Sequence, residues 1–371
     1  MKTLNPSLQH AMRLMQGGDL HAATRAIQQG LVGPEPFPAR NDHTFHAADA
    51  RAATKCIDGE FRIVDRGAAD RCCVPLTPTP RNRATFEAHR FVGDAGELDY
   101  KLYVPASIDT AHPPLLLMLH GCTQSPDDFA RGTRMNELAS MHGYVVAYPE
   151  QPASRNATHC WNWFRRGDQQ RDSGEPALLA ALTRRLIATH RIDPRRVYVA
   201  GLSAGGAMAA VLANTHPDLY AAIGVHSGLP IGLASDVPSA FAAMRSGPSG
   251  RHAAAPDRDS RPVPAIVFHG DSDATVHPSN GYGLIAQSLA NHSDEAASAN
   301  GVHAERGIAA GGRRYTRTVH TLADGSIAAE HWIIEGAGHA WCGGDPGGTY
   351  TDPNGPDASA QMLRFFAACA Q

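Results

Sequence analysis

A serine acts as a nucleophile only where the backbone presents its hydroxyl to a base. Ser203 has the setting for it. It lies in Gly201-Leu202-Ser203-Ala204-Gly205, after a β-branched and aromatic run, Val197 to Ala200, and before an alanine- and leucine-rich run, Ala207 to Ala213. Strand, G-x-S-x-G and helix in succession form a nucleophile-elbow pattern, with the serine on a tight turn and the glycines allowing close backbone approach. The competing reading is a phosphate-binding or plain glycine-rich turn. No Lys follows in P-loop spacing, and no G-x-G-x-x-G is present there. An elbow serine needs a base, and the base needs an orienting acid; in this architecture the chain order is Ser, then Asp or Glu, then His.

Two later segments supply them. The apolar run Ala265 to Phe268 leads into His269-Gly-Asp271-Ser-Asp273, and the run His331 to Ile334 leads into Glu335-Gly-Ala-Gly-His339. Asp273 is the expected acid, because such a loop presents its carboxylate a few residues past the glycine; Asp271 is the alternative. Both aspartates also suit an ordinary turn. His339 is the expected base among 20 histidines, because it follows both the acid and the last strand. His226 comes too early and is expected to support the elbow. The oxyanion of an acyl-transfer intermediate needs two preorganised donors. The backbone N–H of Ala204 is one. The other is assigned to Cys122, in the loop His120-Gly-Cys-Thr-Gln124 that follows Leu115 to Leu119. Its thiol is then incidental or paired with another cysteine; a cysteine nucleophile has no supporting context around it. Trp161, Trp163 and Trp341 on loops suggest an aromatic acyl or alcohol pocket, with Asn162 available to hydrogen-bond an ester.

These loops must stand at the carboxyl ends of strands. Thr85 to Phe91 and Leu98 to Val104 read as an antiparallel pair around Gly93-Asp-Ala-Gly96. Leu115 to Leu119, Tyr144 to Tyr148, the elbow strand, Ala221 to His226, Ala265 to Phe268 and His331 to Ile334 are short continuous apolar runs, as expected of strands buried on both faces. Helical stretches over 127–141, 175–190, 207–213 and 358–370 alternate with them. The pattern is an α/β chain with a mostly parallel, doubly wound sheet. Segments 232–262 and 284–327 read as polar or irregular insertions. Residues 1–31 read as a helical hairpin broken at Gly17-Gly18, an N-terminal extension; 32–83 as an extended, proline-containing linker; and 84–371 as the catalytic domain.

Composition narrows the partners. The chain has 371 residues, 43% hydrophobic and 19% charged, with a net charge of −3, which favours neither nucleic acid nor an anionic membrane. No apolar run approaches the ~20 residues of a membrane span. The first residues show no secretory signal, which points to the cytoplasm unless a leader has been removed upstream. The seven cysteines are odd in number and irregularly spaced, with no C-x-x-C, and read by default as free thiols. No H-E-x-x-H or other ligand cluster occurs, so neither metal nor cofactor is expected. Nothing in the sequence sets an oligomeric state.

His120-Gly-Cys-Thr-Gln124, Cys160-Trp-Asn-Trp-Phe164, Gly201-Leu-Ser-Ala-Gly205, His226-Ser-Gly228, His269-Gly-Asp-Ser-Asp273, Gly338-His-Ala-Trp341 and Thr351-Asp-Pro-Asn-Gly-Pro-Asp-Ala-Ser359 occur in one order. Together they resemble the poly(3-hydroxybutyrate) depolymerase family of esterases, which is similar to feruloyl and acetylxylan esterases. The resemblance covers about residues 84–370. It implies an α/β-hydrolase fold, a Ser203-Asp273-His339 triad, Cys122 at the oxyanion position and hydroxyalkanoate oligomers or polyesters as substrates. Feruloyl or acetylxylan ester hydrolysis is the alternative within enzymes. An acyltransferase and an inactive binding module are alternatives of other classes. Secreted polymer-degrading members usually carry a signal peptide and a C-terminal polymer-binding domain, and the sequence shows neither; this supports an ester hydrolase more firmly than attack on solid polymer.

Overall fold

The structure is a computed structural model that describes residues 83–108, 110–248, 261–290 and 301–370. The expected hairpin of 1–31 and the linker lie outside the described residues, as do Cys56, Cys72 and Cys73. Ten strands form one sheet: β1 (Thr85–Gly93), β2 (Gly96–Val104), β3 (Leu115–Leu119), β4 (Val145–Pro149), β5 (Val197–Leu202), β6 (Ala222–His226), β7 (Ala265–Gly270), β8 (Gly301–Ile308), β9 (Arg314–Thr321) and β10 (Ile327–Ile334). Their spatial order is β1-β2-β4-β3-β5-β6-β7-β10-β9-β8. The run from β4 to β10 is parallel, and antiparallel pairs flank it on both sides. This is the α/β-hydrolase fold.

Period-two alternation along β3 divides the core. Leu115, Leu117 and Leu119 point into one layer with α3 (Gly174–His190) and α4 (Ala204–Thr215). Leu116 and Met118 point into the other, with α1 (Pro126–Thr133), α2 (Met135–His142) and α7 (Ala358–Ala368). All five β3 side chains are buried. That explains the unbroken apolar runs: a strand covered on both faces has no polar side.

Three segments differ from their sequence reading. The stretch 127–141 is two helices, because Arg134 takes a left-handed φ of 54° that ends α1 and starts α2. Segment 232–262 contains α5 (Val237–Ser246), opened by a capping box between Asp236 and Ser239. Within 284–327, α6 (Ser279–Ala290) continues to Ala290, and β8 and β9 then extend the sheet. The β8–β9 hairpin lacks an apolar core face: no side chain of β8 is fully buried. Its sequence therefore carries no period-two signal.

The elbow is closely packed against backbone. A Cβ on Gly205 would collide with Leu119 O and with His120 O (2.6 Å), and one on Gly201 would lie 2.7 Å from Leu119 O. These neighbours are backbone and cannot rotate away. Gly205→Ala is therefore expected to destabilise the fold by about 3 kcal/mol, read as a drop in the urea midpoint. Gly167→Ala, where a Cβ meets nothing within 4 Å, is the control that should leave the midpoint in place.

Candidate active site

Ser203 follows β5 with φ 56° and ψ −118°, a backbone geometry that costs a non-glycine residue about 1–3 kcal/mol. Two backbone bonds hold it there: its N–H donates to His226 O (2.9 Å), and its carbonyl accepts from Ala207 N–H (2.9 Å). Ala204 opens α4, so the serine sits at a helix N-terminus.

The loops after β7 and β10 bring Asp273 and His339 together. His339 Nδ1 lies 2.7 Å from Asp273 Oδ2. A carboxylate beside Nδ1 places the proton on that nitrogen and leaves Nε2 with a free lone pair. Asp273 Oδ1 accepts from the N–H groups of Thr275 (2.9 Å) and Val276 (2.8 Å). Burial would raise the Asp273 pKa, but the hydrogen bond and charge of His339, with His269 and the Val276 amide, outweigh it and hold the carboxyl below its ordinary value. His269 Nε2 stands 3.5 Å from Asp273 Oδ2 and donates to Val276 O (2.8 Å). The alternative acid, Asp271, is engaged elsewhere: its Oδ1 accepts from Gly336 N–H (2.7 Å), which ties the β7 loop to the β10 loop. No hydrogen bond joins the Ser203 hydroxyl to His339 among the described residues. Catalytic contacts of this kind often close only around substrate.

His226 supports the elbow, as its position suggested. Its carbonyl holds Ser203, and its ring stacks between Phe268 (5.8 Å) and Trp341 (5.4 Å). Its Nε2 accepts from Cys342 N–H (3.1 Å), just past the His339 loop. One residue thus steadies both the serine and the strand after the histidine. Burial, with His269 and His339 nearby, pushes its pKa down to about 3.

The candidate oxyanion loop, His120–Gln124, lies against the elbow, where Gly121 approaches Leu202. Neither Cys122 N–H nor Ala204 N–H donates to an acceptor among the described residues. The loop is braced from both sides. His120 Nδ1 donates to Gly121 O (2.8 Å), and its Nε2 accepts from Gln151 N–H (3.2 Å). Gln124 Oε1 accepts from Gly121 N–H (2.9 Å), while its Nε2 donates to Asp128 (2.9 Å). Cys122 and Cys160 form a disulfide, which corrects the free-thiol reading for these two; Cys342 and Cys369 are free. Thr123 N–H donating to Thr158 O (2.8 Å) runs beside the bridge.

The tryptophans take a different place from the one their loops suggested. Trp161, Trp163 and Trp341 are 1%, 6% and 1% exposed, which leaves hardly any ring surface for a substrate. Trp341 packs edge-on to Phe129 and donates from Nε1 to Ser359 Oγ (3.1 Å). Asn162 is spent on structure: its N–H and Nδ2 donate to Glu175 (2.7 and 2.6 Å), and its Oδ1 accepts from Asn156. Glu175 also pairs with Gln151. Burial pushes the Glu175 pKa up, against the hydrogen bonds it accepts from Gln151 and Asn162. The sequence reading missed Glu175, Gln151, Gln124 and Asp128, because ordinary polar residues show no pattern until the fold brings them together. Among the described residues, no group of three or more His, Cys, Asp or Glu could hold a metal ion, and no helix is long and apolar enough to cross a membrane.

Sheet order, elbow and loop placement define an α/β-hydrolase. The family model described as esterase PHB depolymerase matches residues 98–307, and the chain belongs to that family. It is 32% identical over 278 residues to the poly(3-hydroxyalkanoate) depolymerase C of Paucimonas lemoignei, covering 73% of this chain and 63% of that protein. It is 30% identical over 274 residues to a poly(3-hydroxybutyrate) depolymerase of Ralstonia pickettii, covering 68% of this chain and 54% of that one. The chain thus spans less than two thirds of either relative. An acetyl xylan esterase from Aspergillus awamori shares the fold, with TM-score 0.57 and 19% identity over 76% of this chain and 99% of that one.

Two outcomes follow. Cys160→Ser removes the staple and keeps the Cys122 amide. Labelling of Ser203 by a fluorophosphonate should slow about tenfold, less than the 10²–10³ typical of losing an oxyanion donor altogether; an unchanged rate would detach the disulfide from the loop's placement. The second concerns acid. His226 Nε2 must be unprotonated to accept from Cys342. With a folded pKa near 3 against an ordinary 6.5, its stabilisation is complete above pH 6.5 and is lost as pH falls toward 3. At pH 5 the loss is on the order of 2 kcal/mol. The melting temperature should fall between pH 7.5 and pH 5, and His226→Gln should show a shallower fall from a lower start. Equal slopes would remove His226 from the acid response.

Proposed function

We propose that the chain is a serine carboxylic-ester hydrolase acting on hydroxyalkanoate oligomers or polyesters. The observation that carries this reading is the 2.7 Å Asp273–His339 pair on loops at the ends of β7 and β10, in a sheet whose β5 leads into a strained elbow serine. His339 Nε2 takes the Ser203 proton, and Ser203 Oγ attacks the ester carbonyl carbon. The Cys122 and Ala204 amides receive the oxyanion. As the tetrahedral intermediate collapses, the C–O bond to the alcohol breaks and His339 returns the proton to the departing oxygen. Water, deprotonated by the same nitrogen, then cleaves the acyl-enzyme. Asp273 keeps Nδ1 protonated and stabilises the imidazolium. The two depolymerase relatives favour hydroxyalkanoate esters as substrates. The Cys122–Cys160 bridge favours an oxidising compartment over the cytoplasm expected from the first residues.

The test is a panel of 3-hydroxybutyrate oligomers, polymer film, methyl ferulate and acetylated xylan on wild type and variants. Wild type should cleave the oligomers, and Ser203→Ala should abolish turnover. Asp273→Asn should lower kcat by about four orders of magnitude, and Asp271→Asn far less. Turnover surviving Ser203→Ala would overturn the mechanism. Cleavage of only the ferulate and xylan esters would overturn the substrate class. Added alcohols outcompeting water for the acyl-enzyme would make it an acyltransferase.

A further inference from the structure

Tyr350 lies just before the Thr351 to Ser359 stretch, and neither its residue type nor its spacing marks a role. It closes the loop between two short strands, β11 (Trp341–Cys342) and β12 (Thr351–Asp352). Its ring stands edge-on to His339, 6.5 Å between centroids. Its hydroxyl is 3.2 Å from Thr123 Oγ1, beside Cys122. Thr123 gives its own proton to Cys122 O (2.6 Å), so the phenol is the donor in the pair. Tyr350 therefore bridges the base loop and the oxyanion loop, and it stays 36% exposed.

The loop is held in place. Trp341 N–H donates to Tyr350 O (2.7 Å). Thr349 N–H donates to Asp128 Oδ1 (2.9 Å), and Gln124 Nε2 donates to Thr349 O (3.1 Å). Asp128 and Gln124 also brace the oxyanion loop, so the two loops form one wall. Tyr350 has φ 52° and Thr123 φ 66°, both in the left-handed region that glycine would fill without strain. A large aromatic ring is thus fixed, half open, on the rim where glycine would fold more easily.

The geometry points to Tyr350 as a specificity-determining residue whose open ring face packs against the alcohol portion of the ester, favouring alcohols that carry an apolar or further esterified group over methyl esters. The side follows from the chemistry. His339 delivers its proton to the departing alcohol oxygen, so the alcohol leaves along the His339 face, and Tyr350 flanks that face. This inference rests on the serine-esterase reading.

The experiment holds the acyl group at butyryl and varies the alcohol from methyl to butyl to benzyl, on wild type, Tyr350→Gly and Tyr350→Phe. Glycine suits the local φ, so folding is not at stake. In Tyr350→Gly the benzyl-to-methyl ratio of kcat/KM should fall about tenfold, chiefly through KM, and Tyr350→Phe should keep the ratio. A second series, methyl acetate to methyl octanoate, should keep its wild-type ratio in both variants. Equal losses on all alcohols, an unmoved alcohol ratio, or a shift in the acyl series instead would overturn the assignment while leaving the esterase intact. Wild type inactive on every ester would overturn the esterase reading and this inference together.

Discussion

The approach of β3 to the start of α4 is the constraint on which the rest of the site depends. With no side chain at Gly201 or Gly205, the β3 carbonyl of Leu119 comes into contact with the elbow backbone. That contact sets Ser203 in its unusual φ and lays the His120–Gln124 loop beside the first turn of the helix. The serine and both candidate oxyanion amides therefore come from two adjacent strands at one place. The remaining groups are added across the sheet in order: β6 provides the carbonyl of His226, β7 the loop of Asp273, and β10 the loop of His339.

Secondary bracing then turns neighbours into fixed geometry. Each loop is tied by bonds that do not involve the reacting groups: Asp271 to Gly336, Gln124 to Gly121 and Asp128, His120 to Gln151, Cys122 to Cys160. A site held this way reorganises little when charge develops, which is the physical basis of electrostatic preorganisation. Neutral, buried His120 and His226 belong to the same bracing. Burial lowers their pKa values to about 4 and about 3, so both remain acceptors at neutral pH.

What the sequence disclosed was what is local. Ser203, Asp273 and His339 each follow a short apolar strand, and the strand-then-loop pattern survives in one dimension. The choice between Asp273 and Asp271 rested on spacing; in three dimensions Asp271 is occupied by Gly336 and Asp273 faces His339. The tryptophans misled because residue type does not reveal which side of a loop packs inward. Trp341 sits between Phe129 and His226, residues far from it in the chain. The break at Arg134 had no sequence signal, since arginine is a good helix former, yet here it takes a left-handed φ between the two helices. Tyr350 and Glu175 matter through partners more than ten residues away, which no spacing rule reaches.

Strain is concentrated on one edge of the sheet. Of the described non-glycine residues with positive φ, Arg134 and Arg191 end helices, whereas Thr123, His159, Ser203, Ser227 and Tyr350 sit in loops at the strand ends. Each would be relieved by glycine. Selection for heat resistance alone would find easy gains at these positions, and at Ser203 it would remove the proposed nucleophile in taking one. The carboxyl edge is therefore where this fold's demand for stability and its chemistry oppose each other most directly, and gains in robustness have to come from the opposite edge of the sheet or from the helices.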